Sequence, residues 1–205
     1  MDYIDSGPQS LTHEKTEHIN QLALRMKELM KPSLFEHSMG TYEFAMEIAA
    51  SRPEGVDLHR LAVSSIVHDY GKIFSGSQLK KMALIQELGL DETELEMKPI
   101  LHSLIGDFLV SRDLGIKDEE ILRAVKIHTI GAPGMSLEEK ILFVADKVEK
   151  TRKYDGVEDL RVLALKDINL CLIEVYKNTI IYVINKNKLL HPDTSRIWNS
   201  ICGGN

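Results

Sequence analysis

Cysteine is scarce in this chain. Cys171 and Cys202 are far apart and form no CxxC pattern, which excludes a thiolate metal site and points to a reducing, cytoplasmic setting. A basic surplus is missing as well. The 25 Lys and Arg residues face 31 Asp and Glu, a net charge of −6. Nonspecific nucleic-acid binding is disfavoured, because no surplus exists to neutralise phosphates, though a local cationic pocket for a small phosphorylated ligand is not. No uncharged apolar run approaches a membrane span, so no membrane partner is expected. The opening "MDYIDSGPQSLTHEKTEHIN" has no hydrophobic signal region, and residues 1–15 read as a loose leader. Internal repeats, low-complexity linkers and alternating strand patterns are absent too. What remains is 205 residues, 43% hydrophobic and 27% charged, enough for one soluble domain over 16–205 with a substantial core.

What is present is helical periodicity. A first helix is expected over about 16–30, stopped by Pro32. A second opens on Ser33 and Glu36 at capping-box spacing and breaks at Pro53 and Gly55. Asp57 caps a third, which ends at Gly71. A fourth, "SQLKKMALIQEL", ends at Gly89, and a fifth, "ILHSLIGDFLVSR", follows Pro99. After Gly115 come "DEEILRAVKIH", the loop "TIGAPG" and "SLEEKILFVADKVEK", boxed by Ser136 and Glu139. "YDG" is a turn, and one long helix over about 157–185 precedes the tail "LLHPDTSRIWN". The expected fold is an all-α orthogonal bundle of about eight helices.

Polar residues interrupt the apolar faces in the order H…HD…H…H…D. They are His37, the pair His68-Asp69, His102, His128 and Asp146. Asp146 follows "ILFVA", where an unpaired carboxylate would be costly. Taken singly, each has an ordinary explanation. His102 could be a satisfied core histidine, Asp146 could pair with Arg152, and His13, His18 and His59 read as surface residues. As an ordered set on separate helices, imidazoles and carboxylates suit a divalent metal such as iron, manganese or zinc. His37, His68, Asp69 and Asp146 would be the ligands, leaving room for a water that the metal acidifies. Asp69 could bridge from a metal to that water or to a second metal. Lys72, one turn beyond Asp69, has the charge for a phosphoryl oxygen; in isolation it would be a solvated lysine.

These residues resemble the HD-domain metal-dependent phosphohydrolases, whose H…HD…D motif is met by His37, His68-Asp69 and Asp146. More closely, the chain resembles the YqeK family of symmetrical bis(5′-nucleosyl)-tetraphosphatases. The segments that carry this are "FEHSMGTYEFAMEIA", "VHDYGKIF", "ILHSLIGDFLV", "KIHTIGAPGMSLEEKILFVADKVEKTRKYDGVEDLR" and "LLHPDTSRIWN", over roughly 35–199. The resemblance implies an iron site that cleaves diadenosine tetraphosphate into two ADP. It implies metal ligation by His37, His68, Asp69 and Asp146, and catalytic work by Asp69, Lys72, His102, His128 and Arg152. Nucleotide contacts would come from Gly71, Lys72, Ile73, Phe74, His102, His128, Thr129 and Arg152. Leu189, Leu190, His191, Pro192, Asp193 and Thr194 would line the nucleotide pocket. One metal ion or two, a bound ADP or GDP product, and a homodimer are all compatible with it. Three positions depart from the family. Leu34 stands where Arg or His is frequent, Ala132 replaces the Arg of the "HTTGRAGMS" loop, and "VEKTR" replaces "IEP.R" while keeping Arg152.

Competing readings are another HD nucleotide phosphohydrolase (a 5′-nucleotidase or cyclic-nucleotide phosphodiesterase) and a nucleotide-binding regulatory module without turnover. The "LLHPDTSRIWN" tail speaks against the first, since a bare HD core would not need it. Retention of Asp69 and Asp146 speaks against the second. A purely structural helical protein would leave ionisable groups buried without reason.

Overall fold

Side-chain caps open seven of the helices of this chain, at Thr12, Asp57, Ser75, Asp91, Asp118, Ser136 and Asp167. The computed structural model, which describes residues 11–52 and 55–203, contains twelve α-helices and one 3-10 turn, with no strand among the described residues. The order is α1 His13–Leu29, α2 Pro32–Ala50, α3 Leu58–Val67, the 3-10 turn Tyr70–Ile73, α4 Gly76–Ile85, α5 Glu92–Glu96 and α6 Leu101–Leu104. Then follow α7 Gly106–Leu114, α8 Glu119–Ile127, α9 Leu137–Val148, α10 Val157–Lys166, α11 Ile168–Asn185 and α12 Thr194–Cys202. No helix among the described residues is long and apolar enough to cross a membrane.

The all-α expectation holds, but the helix count rises from about eight to twelve, for local reasons. Thr12 accepts from the Lys15 N–H, so α1 begins at His13 rather than 16; most of the expected leader lies outside the described residues. Pro53, the expected breaker of α2, lies outside them too. The Ser33–Glu36 capping box does not form. Pro32 takes the first helical position, where a missing N–H costs nothing, and Ser33 is drawn inside α2. The third helix stops at Val67, and the 3-10 turn carries the chain on to Ile73. The fourth stops at Ile85, and a separate capping box of Asp91 and Glu94 opens the unforeseen α5. The fifth divides at Ile105 (φ −114°, ψ 15°) into α6 and α7. The long helix expected over 157–185 breaks at Asp167 (φ −148°, ψ 101°), whose carboxylate caps Asn169 and Leu170. The caps at Asp57 and the Ser136–Glu139 box form as expected.

Burial then ranks the helices. The α1 stripe Ile19, Leu22 and Met26 is one-sided, as suits a surface helix. By contrast, 61–67 of α3 and 141–146 of α9 are buried on every side, so both helices are central. One apolar cluster gathers α9 with α2, α10, α11 and α12, and another gathers α3 with α1, α4, α6, α7 and α8. Met46 of α2 packs against both. Helix α2 lies against α3 and α9, and α8 also packs on both. Polar residues at the ends of the two central helices therefore meet where the clusters adjoin.

Phe143 is fully buried in α9, whereas Val162 of α10 is half exposed. Phe143→Ala should cost about 3–5 kcal/mol of unfolding free energy in a urea titration. Val162→Ala should stay within about 0.5 kcal/mol of the wild type.

Candidate metal centre

Each site residue reaches the centre from a different place in the fold. His37 comes from within α2, His68 caps the end of α3, and Asp69 follows it. His102 lies in α6, His128 caps α8, and Asp146 lies in the last turns of α9. All six are buried. Gly71 makes the approach of α6 possible. A Cβ there would stand 2.6 Å from the His102 carbonyl oxygen, so only glycine lets the turn sit flat against α6.

Asp69 is the hub. Its Oδ2 lies 3.4 Å from His37 Nε2 and 3.5 Å from His68 Nε2. Its Oδ1 lies 3.2 Å from His102 Nε2 and 3.4 Å from His128 Nε2. Asp146 Oδ1 completes the first side, 2.9 Å from His37 Nε2 and 3.7 Å from His68 Nε2. Two ligand sets can be drawn from this cluster: His37, His68 and Asp146, or His68, Asp69 and His128.

The imidazole tautomers decide whether a metal fits. His68, His102 and His128 turn Nδ1 to the carbonyls of Ser65, Pro99 and Val125, at 2.8, 3.0 and 2.7 Å. His37 turns Nδ1 to Glu149 Oε1 at 2.9 Å. A neutral ring that donates from Nδ1 presents a lone pair at Nε2. All four Nε2 atoms then face carboxylate oxygens or one another, with His37 and His68 at 3.4 Å and His102 and His128 at 3.3 Å. Asp69 Oδ1 is buried without a hydrogen-bond partner. Lone pairs and carboxylate oxygens crowded at such distances favour positive charge among them, part of which Arg152 supplies at 3.3 Å from His37 Nε2, and the N and O donor set suits a divalent transition metal. The group fits.

The electrostatics favour positive charge within the cluster. Burial opposes charge on His37, but the carboxylates of Asp146, Asp69 and Glu149 push it up to about 10, so a proton on this ring competes with a metal for Nε2. Burial likewise opposes charge on Asp69, but His68, His102, His128 and His37 hold its carboxyl well below the usual range. Asp146 is also held low against burial, chiefly by Lys147 and His37. His128 is driven down to about 3 by burial, against its Asp69 contact, and stays neutral. The carboxylates keep their charge, which is the condition for binding a cation.

Three basic side chains border the cluster. Lys72 Nζ is 2.6 Å from Asp69 Oδ2, and Arg152 Nη2 is 2.9 Å from Asp146 Oδ1. Both side chains are about two-fifths exposed, 40% and 38%, so they stand at the solvent side of a buried centre. The ion pair of Asp146 with Arg152, weighed as an alternative to metal binding, does form, but alongside the histidine contacts. Lys147 donates to Asp146 Oδ2 at 2.7 Å and to the His128 carbonyl at 2.8 Å.

Of the other expected contacts, Thr129 Oγ1 lies 3.0 Å from His128 Nε2. Ile73 and Phe74 are half-buried against the α3 cluster. Leu189, Leu190, Pro192 and Asp193 are exposed. His191 is buried, and its Nε2 meets Glu94 Oε1 at 3.0 Å. Thr194 Oγ1 donates to the His191 carbonyl at 2.7 Å. Helix α12 then packs beside the loop that follows His128, with Ile197 against Gly131 and Trp198 stacked on Tyr176.

A family model described as the HD domain matches residues 34–151, which include every residue of the His/Asp cluster. The chain belongs to the HD-domain family. The match to the HD domain ends one residue before Arg152 and leaves α10–α12 outside. Similarity to individual HD proteins runs further. A Bacillus subtilis protein named bis(5′-nucleosyl)-tetraphosphatase, symmetrical, is 34% identical over 180 residues, covering 87% of this chain and 95% of that one. A protein of the same name from Halalkalibacterium halodurans is 33% identical over 178 residues, covering 85% and 94%. The crystal structure of a predicted HD superfamily hydrolase involved in NAD metabolism from Clostridium acetobutylicum superposes with a TM-score of 0.83 at 30% identity, covering 97% of this chain and all of that one.

Sequence reasoning missed Lys147, Glu149 and Arg161. Arg161 donates to the carbonyls of Val148, Glu149 and Arg152, and so holds the turn after α9 in place. The overlooked signal was "ADKVE": two more charged residues inside the apolar stretch that had singled out Asp146. Asp146→Ala should lower the metal content of the purified protein, measured by elemental analysis. Metal content equal to the wild type would make Asp146 only the partner of Arg152 and Lys147.

Proposed function

We propose that this chain hydrolyses dinucleoside tetraphosphates at the centre, releasing two nucleoside diphosphates, with diadenosine tetraphosphate giving two ADP. One observation carries the reading: 34% identity to a symmetrical tetraphosphatase across 95% of that enzyme, in a chain whose His/Asp cluster assembles in full. His37, His68, Asp69 and Asp146 would hold the metal, with His102 and His128 on the second side of Asp69 for a second ion. Iron is the metal that the family resemblance implies, and manganese or zinc also suits this mixture of imidazole and carboxylate. The metal would supply an acidified water and charge neutralisation at phosphoryl oxygens.

The chain's own residues do the rest. Lys72 and Arg152 offset charge on the phosphate oxygens as the reaction proceeds, so no strong side-chain acid is needed. Gly71, Ile73, Phe74 and Thr129 border the nucleotide, with Leu189, Leu190, His191, Pro192, Asp193 and Thr194 holding one nucleoside diphosphate unit. A water oxygen bonds to the β-phosphorus of that unit. The bridging P–O bond on its far side breaks, and its electron pair leaves on the oxygen of the second nucleoside diphosphate. One water proton is released. Neither ADP nor GDP is distinguished by the groups named here, and the setting is cytoplasmic.

Reaction in oxygen-18 water should place one label on one of the two ADP molecules per turnover, read by mass spectrometry. Products of ATP and AMP would overturn central cleavage, and turnover of a nucleoside monophosphate or cyclic nucleotide instead would favour the other HD phosphohydrolase activities. Lys72→Ala should slow turnover on the order of 100-fold with little change in melting temperature. Unchanged kinetics with a lower melting temperature would reduce Lys72 to a structural partner of Asp69.

A further inference from the structure

Three of the four histidines around Asp69 solve the same problem in the same way. His68, His102 and His128 anchor Nδ1 on the carbonyl three residues earlier, at or beside a helix end where such carbonyls are free. His37 cannot. It lies inside α2, Pro32–Ala50, where backbone carbonyls are committed to the helical ladder. Its ring needs an acceptor from elsewhere in the fold. Glu149, the residue that caps α9, supplies one at 2.9 Å.

Glu149 is built into this role. It is fully buried, an unusual place for a carboxylate. Its Oε2 receives the Thr151 N–H at 2.6 Å, and the Thr151 hydroxyl donates to Oε1. The facing surface of α2 is cleared for it. A Cβ on Gly40 would stand 2.6 Å from Glu149 Oε2. An anionic acceptor also does more than a carbonyl: it makes the opposite nitrogen of the ring a stronger donor.

We propose that Glu149 is a positioning residue of the metal centre. Its carboxylate fixes the tautomer and ring plane of His37 and makes His37 the strongest donor of the four imidazoles, and Gly40 is the clearance that admits it. This rests on the reading of His37 as a metal ligand.

The test uses the full chain loaded with Mn²⁺ and dialysed against a graded series of EGTA, with retained manganese measured by atomic absorption and melting followed for each variant. E149Q should release manganese at roughly 10- to 100-fold lower chelator concentration than the wild type, the usual effect of removing such a partner. G40A should do the same although Gly40 touches no ligand, and although alanine favours the helix over glycine. The double variant should be no worse than the poorer single one, because both changes remove one interaction. Manganese retention by E149Q equal to the wild type overturns the proposal, and so do losses that multiply in the double variant. If E149Q does not fold, G40A decides: wild-type retention in a folded G40A protein overturns the proposal, and weakened retention sustains it. H37A separates the two readings. Wild-type retention in H37A removes His37 as a ligand and the inference with it. Loss in H37A with full retention in E149Q removes the inference alone.

Discussion

Asp69 has two carboxylate oxygens, fully sealed from water, that look in opposite directions at two pairs of imidazole nitrogens. Each neutral ring facing it offers a lone pair, because its other nitrogen is already committed as a donor, and the carboxylates favour a charged His37 ring. Carboxylate oxygens and lone pairs crowded in this way become favourable around positive charge. The rest of the site follows from this constraint. It accounts for the ring of Nδ1 acceptors, the flat seat at Gly71, and the placing of Lys72 and Arg152 at the solvent side, each bonded to a carboxylate of the cluster. The ammonium of Lys72 reaches only Oδ2 of Asp69, one of the two sides.

The fold serves this constraint by making two helices wholly internal. Helices α3 and α9 are buried on every face along 61–67 and 141–146, which anchors them. Charged residues occupy their first turns, Arg60 in α3 and Glu138, Glu139 and Lys140 in α9, and those of the cluster sit in the last turn of α9 or just beyond α3. Burying charge at a helix end is workable because free backbone groups and side chains from neighbouring helices converge there. Helix α2 lies across both central helices and supplies the one imidazole of the cluster that comes from mid-helix, which is why its ring takes its acceptor from α9 through Glu149.

Much of the site was legible in the sequence because cost leaves a mark. A carboxylate after "ILFVA" or a His-Asp pair at the end of an apolar helix is improbable without a partner, so His37, His68, Asp69 and Asp146 stood out before any geometry was known. Lys147 and Glu149 did not, since charged residues near a helix end ordinarily face water. Their enclosure depends on α8 supplying the His128 carbonyl for Lys147 and α2 supplying the space at Gly40 for Glu149, and neither contact has a local signature. The helix count went astray for a related reason. Asp167 and Asp91 are caps that the apolar periodicity on either side masks, and the Ser33–Glu36 pattern yielded to Pro32, which prefers the first position of a helix.

The sequence by itself determined the helical class, the chain's place among metal-binding hydrolases of the HD type, and the identity of the residues at the centre. Periodicity and the free-energy cost of burying charge are properties of short segments and can be read from them. Tertiary structure alone decided which oxygen of Asp69 faces which histidine, which tautomer each ring adopts, and that Glu149 rather than a backbone carbonyl holds His37. Those depend on hydrogen-bond directions between helices far apart in the chain, for instance the 112 positions separating His37 from Glu149, and no local pattern encodes a direction.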